Sequence, residues 1–274
     1  MDFNLEDFSE DVIEKAMTGL GLTREGLATK AEVSPEAIGQ VLEGGSDEEV
    51  LRKVATALGL DAGALVEMAG KKWAPKPRQV PGLSKFTTNF QGIMDVNAYL
   101  AWDSDTREAV AFDSGADPSS MIDYIRENNL KLAMILLTHT HADHIIDLDR
   151  LSNETQCERI FTPEQEPLEG AETFSQGKQF HAGGLSIETR LTCGHSAGGT
   201  TYVIEGLDRP VAITGDAIFA GSMGGPKISY RDCLETNRKN LFTLPDETVL
   251  CPGHGPLTTV AEEKAHNPFF PEFK

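Results

Sequence analysis

The sequence predicts an α/β fold, with helices flanking β-sheets, preceded by a small all-α domain. Three observations carry that prediction. Upstream of residue 71 the apolar residues keep helical spacing. Downstream of Leu83 short strand-like and helix-like segments alternate. Histidines and aspartates cluster directly after apolar runs, where strand ends would deliver them to one rim. At 274 residues the chain is comfortable for two such parts, and a hydrophobic fraction of 39% suffices for a core.

Residues 1–70 form the predicted helical module. Thr23 caps a helix through Ala31, and Ser34, with Pro35 at the first position, caps the next to about Glu43. Gly44-Gly45 ends it, and a further helix runs from Glu48 to Leu58 and stops at Gly59. Leu27, Ala28, Val33, Ile38, Val41, Leu51, Val54 and Leu58 supply the expected core. From Leu22 to Leu60 this pattern resembles the Cro/repressor-like helix-turn-helix family, which implies a DNA-binding fold. The charges oppose that use. From Ala31 to Leu51 there is no Lys or Arg, and there are six acids: Glu32, Glu36, Glu43, Asp47, Glu48 and Glu49. Phosphate contacts need cations and base readout needs donors, and only Gln40 is suitably placed. Nucleic acid is therefore not an expected partner; packing, protein contact or a homodimer formed through the module is.

Residues 71–83 read as a linker, with Pro75, Pro77 and Pro81 stopping helix and Lys71, Lys72, Lys76 and Arg78 unopposed by any acid. Residues 84–274 then alternate. Asn97 to Trp102 and Glu108 to Phe112 pair as strands around Asp103-Ser104-Asp105-Thr106. A helix covers Ser119 to Asn128 and a buried strand Leu132 to Leu137. Asp143-His144 opens a helix through Leu151. Ile187 to Leu191, Thr201 to Ile204 and Val211 to Thr214 are further strands.

The formal net charge is −19, and both folded parts share in it, which repels nucleic acid and anionic membranes. No run of about 18 apolar residues marks a membrane span, and the acidic start Met1-Asp2-Phe3-Asn4 lacks the order of a secretory signal. Cys157, Cys193, Cys233 and Cys251 show no paired spacing, so free thiols in a cytoplasmic protein are expected.

Five of the seven histidines fall in short loops. His139-Thr140-His141-Ala142-Asp143-His144 follows the apolar strand. His195 lies in Cys193-Gly194-His195-Ser196, Asp216 in Thr214-Gly215-Asp216, and His254 in Pro252-Gly253-His254-Gly255-Pro256. Residues two apart in an extended loop point the same way, so His139 and His141 can share one ion, while Asp143 and His144 can aim at a second. Three imidazoles and a carboxylate in six residues have little packing rationale, because unpaired they are costly to bury. Imidazole with carboxylate suits zinc first, and also iron or manganese.

On these residues the chain resembles the metallo-β-lactamase-fold superfamily, and within it the glyoxalase II-like hydrolases, over about Phe86 to Phe270. The resemblance implies an αββα sandwich and two divalent metal ions. His139, His141 and His195 would hold the first; Asp143, His144 and His254 the second; Asp216 would bridge them, with Asp113 orienting the histidine loop. It also implies a metal-bridging hydroxide that attacks a carbonyl carbon of a small-molecule substrate, a thioester above all, with Asp143 and Asp216 as catalytic carboxylates that accept the proton. The resemblance departs where glutathione-specific members place a cation: Gly225 stands there, with Lys227 two residues on, and the C-terminal helical extension is missing. A mononuclear iron persulfide dioxygenase, and a lactonase or phosphotriesterase, are alternatives on the same fold. A metal-responsive regulator is an alternative of another class.

Overall fold

The computed structural model describes residues 5–274. Five helices come first: α1 (Ser9–Leu20), α2 (Arg24–Ala31), α3 (Pro35–Leu42), α4 (Glu48–Leu58) and α5 (Ala62–Ala69). The hydroxyls of Thr23 and Ser34 accept from the backbone N–H groups of Gly26 and Ala37, so α2 and α3 start where their caps predict. Spacing leaves α1 and α5 unassigned. The Asp11 carboxylate accepts from Phe8 N at 2.8 Å to fix the start of α1, and Asp61 caps α5 through Ala64 N at 2.7 Å.

Residues 71–82 form no helix or strand, but they are fastened along their length. Trp73 stacks on His266 with ring centroids 4.4 Å apart. Arg78 Nη2 meets Glu262 Oε1 at 2.7 Å, both side chains largely covered, and Val80 is buried.

Two six-stranded sheets follow. In the first, β1 (Leu83–Phe90), β2 (Met94–Trp102), β3 (Glu108–Phe112), β4 (Lys131–Leu136), β5 (Ile160–Pro163) and β6 (Glu172–Phe174) lie in chain order. In the second, β12 (Thr258–Thr259), β11 (Val249–Pro252), β10 (Val211–Gly215), β9 (Thr200–Glu205), β8 (Leu185–Leu191) and β7 (Gln179–Ala182) lie in reverse order. The pairs β3–β4, β4–β5, β5–β6 and β10–β11 are parallel. Tyr99, Phe112, Leu136, Phe161, Tyr202, Ile213 and Val249 belong to the apolar layer shared by the two sheets. Helices α6 (Ser119–Glu127) and α8 (Leu148–Thr155) cover the outer face of the first sheet through Met121, Ile122, Ile125 and Leu151. The outer face of the second is covered by α9 (Tyr230–Asn240) and α10 (Val260–His266). The result is the expected αββα sandwich with a helical region ahead of it.

The helical region does not carry a core of its own. Val12, Ile13, Leu27, Leu51 and Leu65 belong to one buried cluster with Ile218, Met223, Phe242, Leu250 and Phe269. One element goes unread in the sequence and one expectation changes. The strand β1 is half-buried and mostly polar (Leu83-Ser84-Lys85-Phe86-Thr87-Thr88-Asn89-Phe90), so it offers little apolar signal. The helix expected from Asp143 to Leu151 is broken into the single turn α7 (Ala142–Ile145) and α8. Asp147, at φ −119° and ψ 29°, leaves helical geometry between them.

Candidate metal centre

The loops that the sheets deliver to one rim hold all seven of the metal-ligand candidates read from the sequence. The strand β4 leads to His139, His141, Asp143 and His144. The β8–β9 loop brings His195, β10 ends at Asp216, and β11 leads to His254. Their donor atoms form two groups: His139, His141, His195 and Asp216 in one, Asp143, His144 and His254 in the other. Asp216 reaches across both. Its Oδ2 lies 3.3 Å from His195 Nε2 and 3.4 Å from His254 Nε2, and its Oδ1 lies 3.3 Å from His144 Nε2. Asp143 Oδ2 sits 3.3 Å from His254 Nε2 and 3.4 Å from His144 Nε2.

Four of the five imidazoles are held by Nδ1. His139 Nδ1 lies 3.0 Å from Thr138 Oγ1, which itself donates to Asp113 Oδ2 at 2.7 Å. His144 Nδ1 donates to Asp113 Oδ2 at 2.8 Å, His195 Nδ1 to the Gly225 carbonyl at 2.8 Å, and His254 Nδ1 to the Asp95 carbonyl at 2.6 Å. An acceptor on Nδ1 fixes the tautomer and turns the Nε2 lone pair inward, the arrangement a metal-binding histidine needs. His141 is reversed: its Nδ1 faces His195 Nε2 at 3.0 Å.

The centre leaves polar atoms unpaired. His139 Nε2, His144 Nε2 and Asp216 Oδ1 are buried and have no hydrogen-bond partner. Orphaned buried atoms of this kind cost stability, and here all three face the middle of the ligand set. Two adjacent cations would satisfy them, so the residues present fit a dinuclear site. Gly253 belongs to the same design: a Cβ there would lie 2.2 Å from Asp216 Oδ1 and 2.7 Å from His144 Cε1.

Electrostatically the two groups differ. Burial, helped by the charge of His144, holds His139 well below the usual imidazole range, and burial pushes His195 down to about 4 against the pull of Asp216. In the second group burial is outweighed. Asp216 and Asp113 lift His144 to about 10, and hydrogen bonds to Asp143 and Asp216 lift His254 to about 11. The three imidazoles of the first group are thus neutral donors beside the ionised Asp216, and the second group balances its carboxylates with protons that cations would replace.

Two supporting residues, Thr138 and Glu166, escape sequence reasoning, while Asp113 holds the histidine loop through Thr138 and His144, as the resemblance implies. Thr138 is fully buried, and its backbone N–H donates to Asp113 Oδ1 at 2.8 Å. Asp113 sits at φ +60°, in the left-handed region that aspartate tolerates better than most residues. Glu166 accepts from Thr140 N at 2.8 Å and from Gly198 N at 2.7 Å, tying the His139–His144 loop to the His195 loop. Its only signal is an acid in the loop after β5. Cys251 is buried, Cys193 is half-buried, both are free, and neither is in a ligand group, as expected. His181 is exposed on β7, and His266 bonds Glu67 Oε2 at 2.7 Å; both lie outside the centre. Among nearby aromatics, Phe219 sets its ring 5.5 Å from that of His254, while Tyr230 packs on Phe269 at 6.3 Å. The loop after His254 continues into a cleft of about 840 Å³ bounded by Leu5, residues 74–86, Trp102, Tyr124, Pro256 and Leu257.

Residues 92–254 match the family model described as Metallo-beta-lactamase superfamily. Hydroxyacylglutathione hydrolase GloC of Haemophilus influenzae is 30% identical over 63% of this chain and 92% of its own length. The mitochondrial persulfide dioxygenase ETHE1 of Mus musculus is 29% identical over 76% of this chain and 84% of its own. Among solved structures, the B3 metallo-beta-lactamase BLEG-1 superposes with a TM-score of 0.61 at 26% identity, covering 69% of this chain and 99% of that one.

Proposed function

We propose, since the chain belongs to the metallo-beta-lactamase superfamily and its Asp216 carboxylate spans two ligand groups, that it is a dinuclear metallohydrolase of thioesters or related esters. The observation that carries this reading is the second group. Asp143, His144 and His254 converge, and His144 is wholly buried with Nε2 turned inward and unpartnered, an arrangement with no use in a one-ion site. His139, His141 and His195 would hold one cation, Asp143, His144 and His254 the other, and Asp216 both; zinc suits the donors first, with iron or manganese also suited. Bound there, divalent cations supply a water acidic enough to act as hydroxide near pH 7 and polarise a carbonyl oxygen.

The rest of the work belongs to the chain. Asp113, Thr138 and the carbonyls of Asp95 and Gly225 hold four imidazoles in one tautomer, so the donors meet a cation without rearranging. Asp143 is the more open of the two inner carboxylates and so the better placed of them to take the proton. A thiolate leaving group, with a thiol pKa of about 8.5, departs without a strong general acid, which suits a site that shows no spare acid in either ligand group. GloC supports a hydroxyacylglutathione-type thioester, and the four free cysteines suit the cytoplasm.

Nucleic acid is not part of this reading. Glu32, Glu36, Glu43, Asp47, Glu48 and Glu49 are all exposed around α3, a surface that repels phosphate. No helix among the described residues is long and apolar enough to cross a membrane.

Metal analysis of the purified protein beside a panel of thioesters, lactones and phosphoesters tests the proposal. Two equivalents of metal with turnover confined to thioesters is the expected result. The similarity to a persulfide dioxygenase favours a second reading, a mononuclear iron enzyme. One equivalent of iron, with oxygen uptake on glutathione persulfide, would establish it in place of the first.

A further inference from the structure

We infer that the helical region is a working wall of the metal centre, and that Asp7 and Lys15 are positioning residues that hold the Phe219–Gly225 loop so that His195 and Asp216 face the cations. The loop matters because it touches the ligands directly. The Gly225 carbonyl is the acceptor that fixes His195 Nδ1, and Gly224 N donates to the Asp216 carbonyl at 3.1 Å. Gly224 passes so close that a Cβ would lie 2.8 Å from His195 Nδ1. Phe219, at the other end, sets its ring edge-on to His254.

Two elements grip this loop from opposite sides. From α10, Glu263 accepts from Gly221 N, and just beyond that helix Asn267 Nδ2 donates to the Ser222 carbonyl at 2.8 Å. From the helical region, the buried Asp7 carboxylate accepts from Ser222 Oγ at 2.6 Å and from Lys15 Nζ. Lys15 Nζ also donates to the Met223 carbonyl at 2.9 Å and lies 5.0 Å from the centre of the Phe219 ring. Lys15 is thus two residues from the carbonyl that orients His195.

Docking alone does not require these charges. Val12, Ile13 and Ala16 already share an apolar cluster with Ala217, Ile218 and Met223. A largely buried ion pair is a poor device for stability, since the cost of desolvation offsets its attraction, and a better one for selecting a single arrangement. Here the pair, with side chains 19% and 10% exposed, is spent on backbone and hydroxyl groups of the one loop that supports two ligands. A charged pair aimed at a ligand-bearing loop is the mark of positioning rather than adhesion.

This inference rests on the reading that the site holds two cations, and cobalt(II) titration of the full chain separates the two. Visible absorption of the cobalt form reports ligand geometry, competition with a chelator reports affinity, and circular dichroism reports folding. In Asp7→Asn and Lys15→Met the expected result is a folded chain whose cobalt affinity falls about 10-fold, as for loss of a ligand's supporting partner. Its absorption spectrum should also be altered, while Lys15→Arg restores both. Ser222→Ala removes a hydroxyl and no charge; it should shift both readouts the same way by less, and it keeps the test open if a charge variant fails to fold. Lys30→Ala, on the exposed face of α2, should change nothing. Folded variants, Ser222→Ala included, with wild-type cobalt affinity and spectrum would overturn the inference. A wild-type chain that takes up no cobalt would instead overturn the metal reading beneath it.

Discussion

In the two-sheet body a set of buried polar side chains is gathered at one rim and braced by other polar groups, whereas in the helical region the buried contacts are almost wholly apolar and the acids face outward. His144, Asp113 and Thr138 form a chain of hydrogen bonds below the centre. Leu27, Ile38, Leu51 and Val54 in the helices touch only a continuous apolar cluster. The body therefore spends stability on a preorganised site, and the helices return it by covering the second sheet and the loop beyond Asp216. The exceptions, Asp7 and Lys15, lie where the two regions meet.

The sharpest way to break this comparison is to remove a ligand from the body. Asp216→Ala should abolish turnover, by more than the 10- to 100-fold that loss of an outer partner costs, and His195→Ala should do the same. Both should leave far-ultraviolet circular dichroism unchanged, because neither side chain contributes to an apolar cluster. Steady-state rates near wild type in either variant would remove the assigned centre.

The next largest effect lies in the shared core. Leu51 is fully buried in α4, and Leu51→Ala should destabilise by about 2 to 5 kcal/mol. Because its cluster continues into Phe242, Leu250 and Phe269, helices and sheets should unfold together. Urea unfolding of a Trp73→Phe background followed by helical circular dichroism and by fluorescence, with Trp102 the one remaining tryptophan and reporting from β2, should give coincident curves. Helices that melt first, with the tryptophan signal unmoved, would show two independent cores.

How much of this was legible follows from range. Thr23, Ser34 and the glycines after α3 and α4 act within a few residues, so those helices can be read directly. The seven candidate ligands are legible because imidazole and carboxylate crowd into loops after apolar strands, where packing gives them no other use. Spacing already separates His139 and His141 from Asp143 and His144, whereas the places of His195, His254 and Asp216 come only by resemblance, and the donor geometry groups His195 with the first pair and His254 with the second. What stayed hidden depends on distant partners. Asp7 and Ser222 are 215 positions apart, Glu166 gains its role from Thr140 and Gly198, and the orienting partners of His195 and His254 are carbonyls that carry no side-chain signal. The break at Asp147 was hidden by good helical spacing on either side of it.

The smallest effect concerns Glu263, which grips the Asp216 loop from the body side and so sharpens the contrast with Asp7. Burial lifts its carboxyl from 4.5 to about 7, although Thr258, Asn267 and Gly221 N all donate to it. The folded state therefore holds a proton that the unfolded chain has already released between those two values. Stability from this group is fully present below about pH 4.5, falls as pH rises through that window, and levels off above about 7, a span of about 3 kcal/mol. Glu263→Gln cannot ionise. It should cost a fixed amount at pH 5, where one amide group must face donors that the acid accepted from, and that deficit should shrink steadily toward pH 8. Urea midpoints for both chains across that range give the comparison as a difference, which removes every other titrating group common to the two. A deficit that stays constant with pH would mean Glu263 is ionised throughout, its four incoming hydrogen bonds outweighing its burial, and the body-side grip would then be a second charged clamp like that of Asp7.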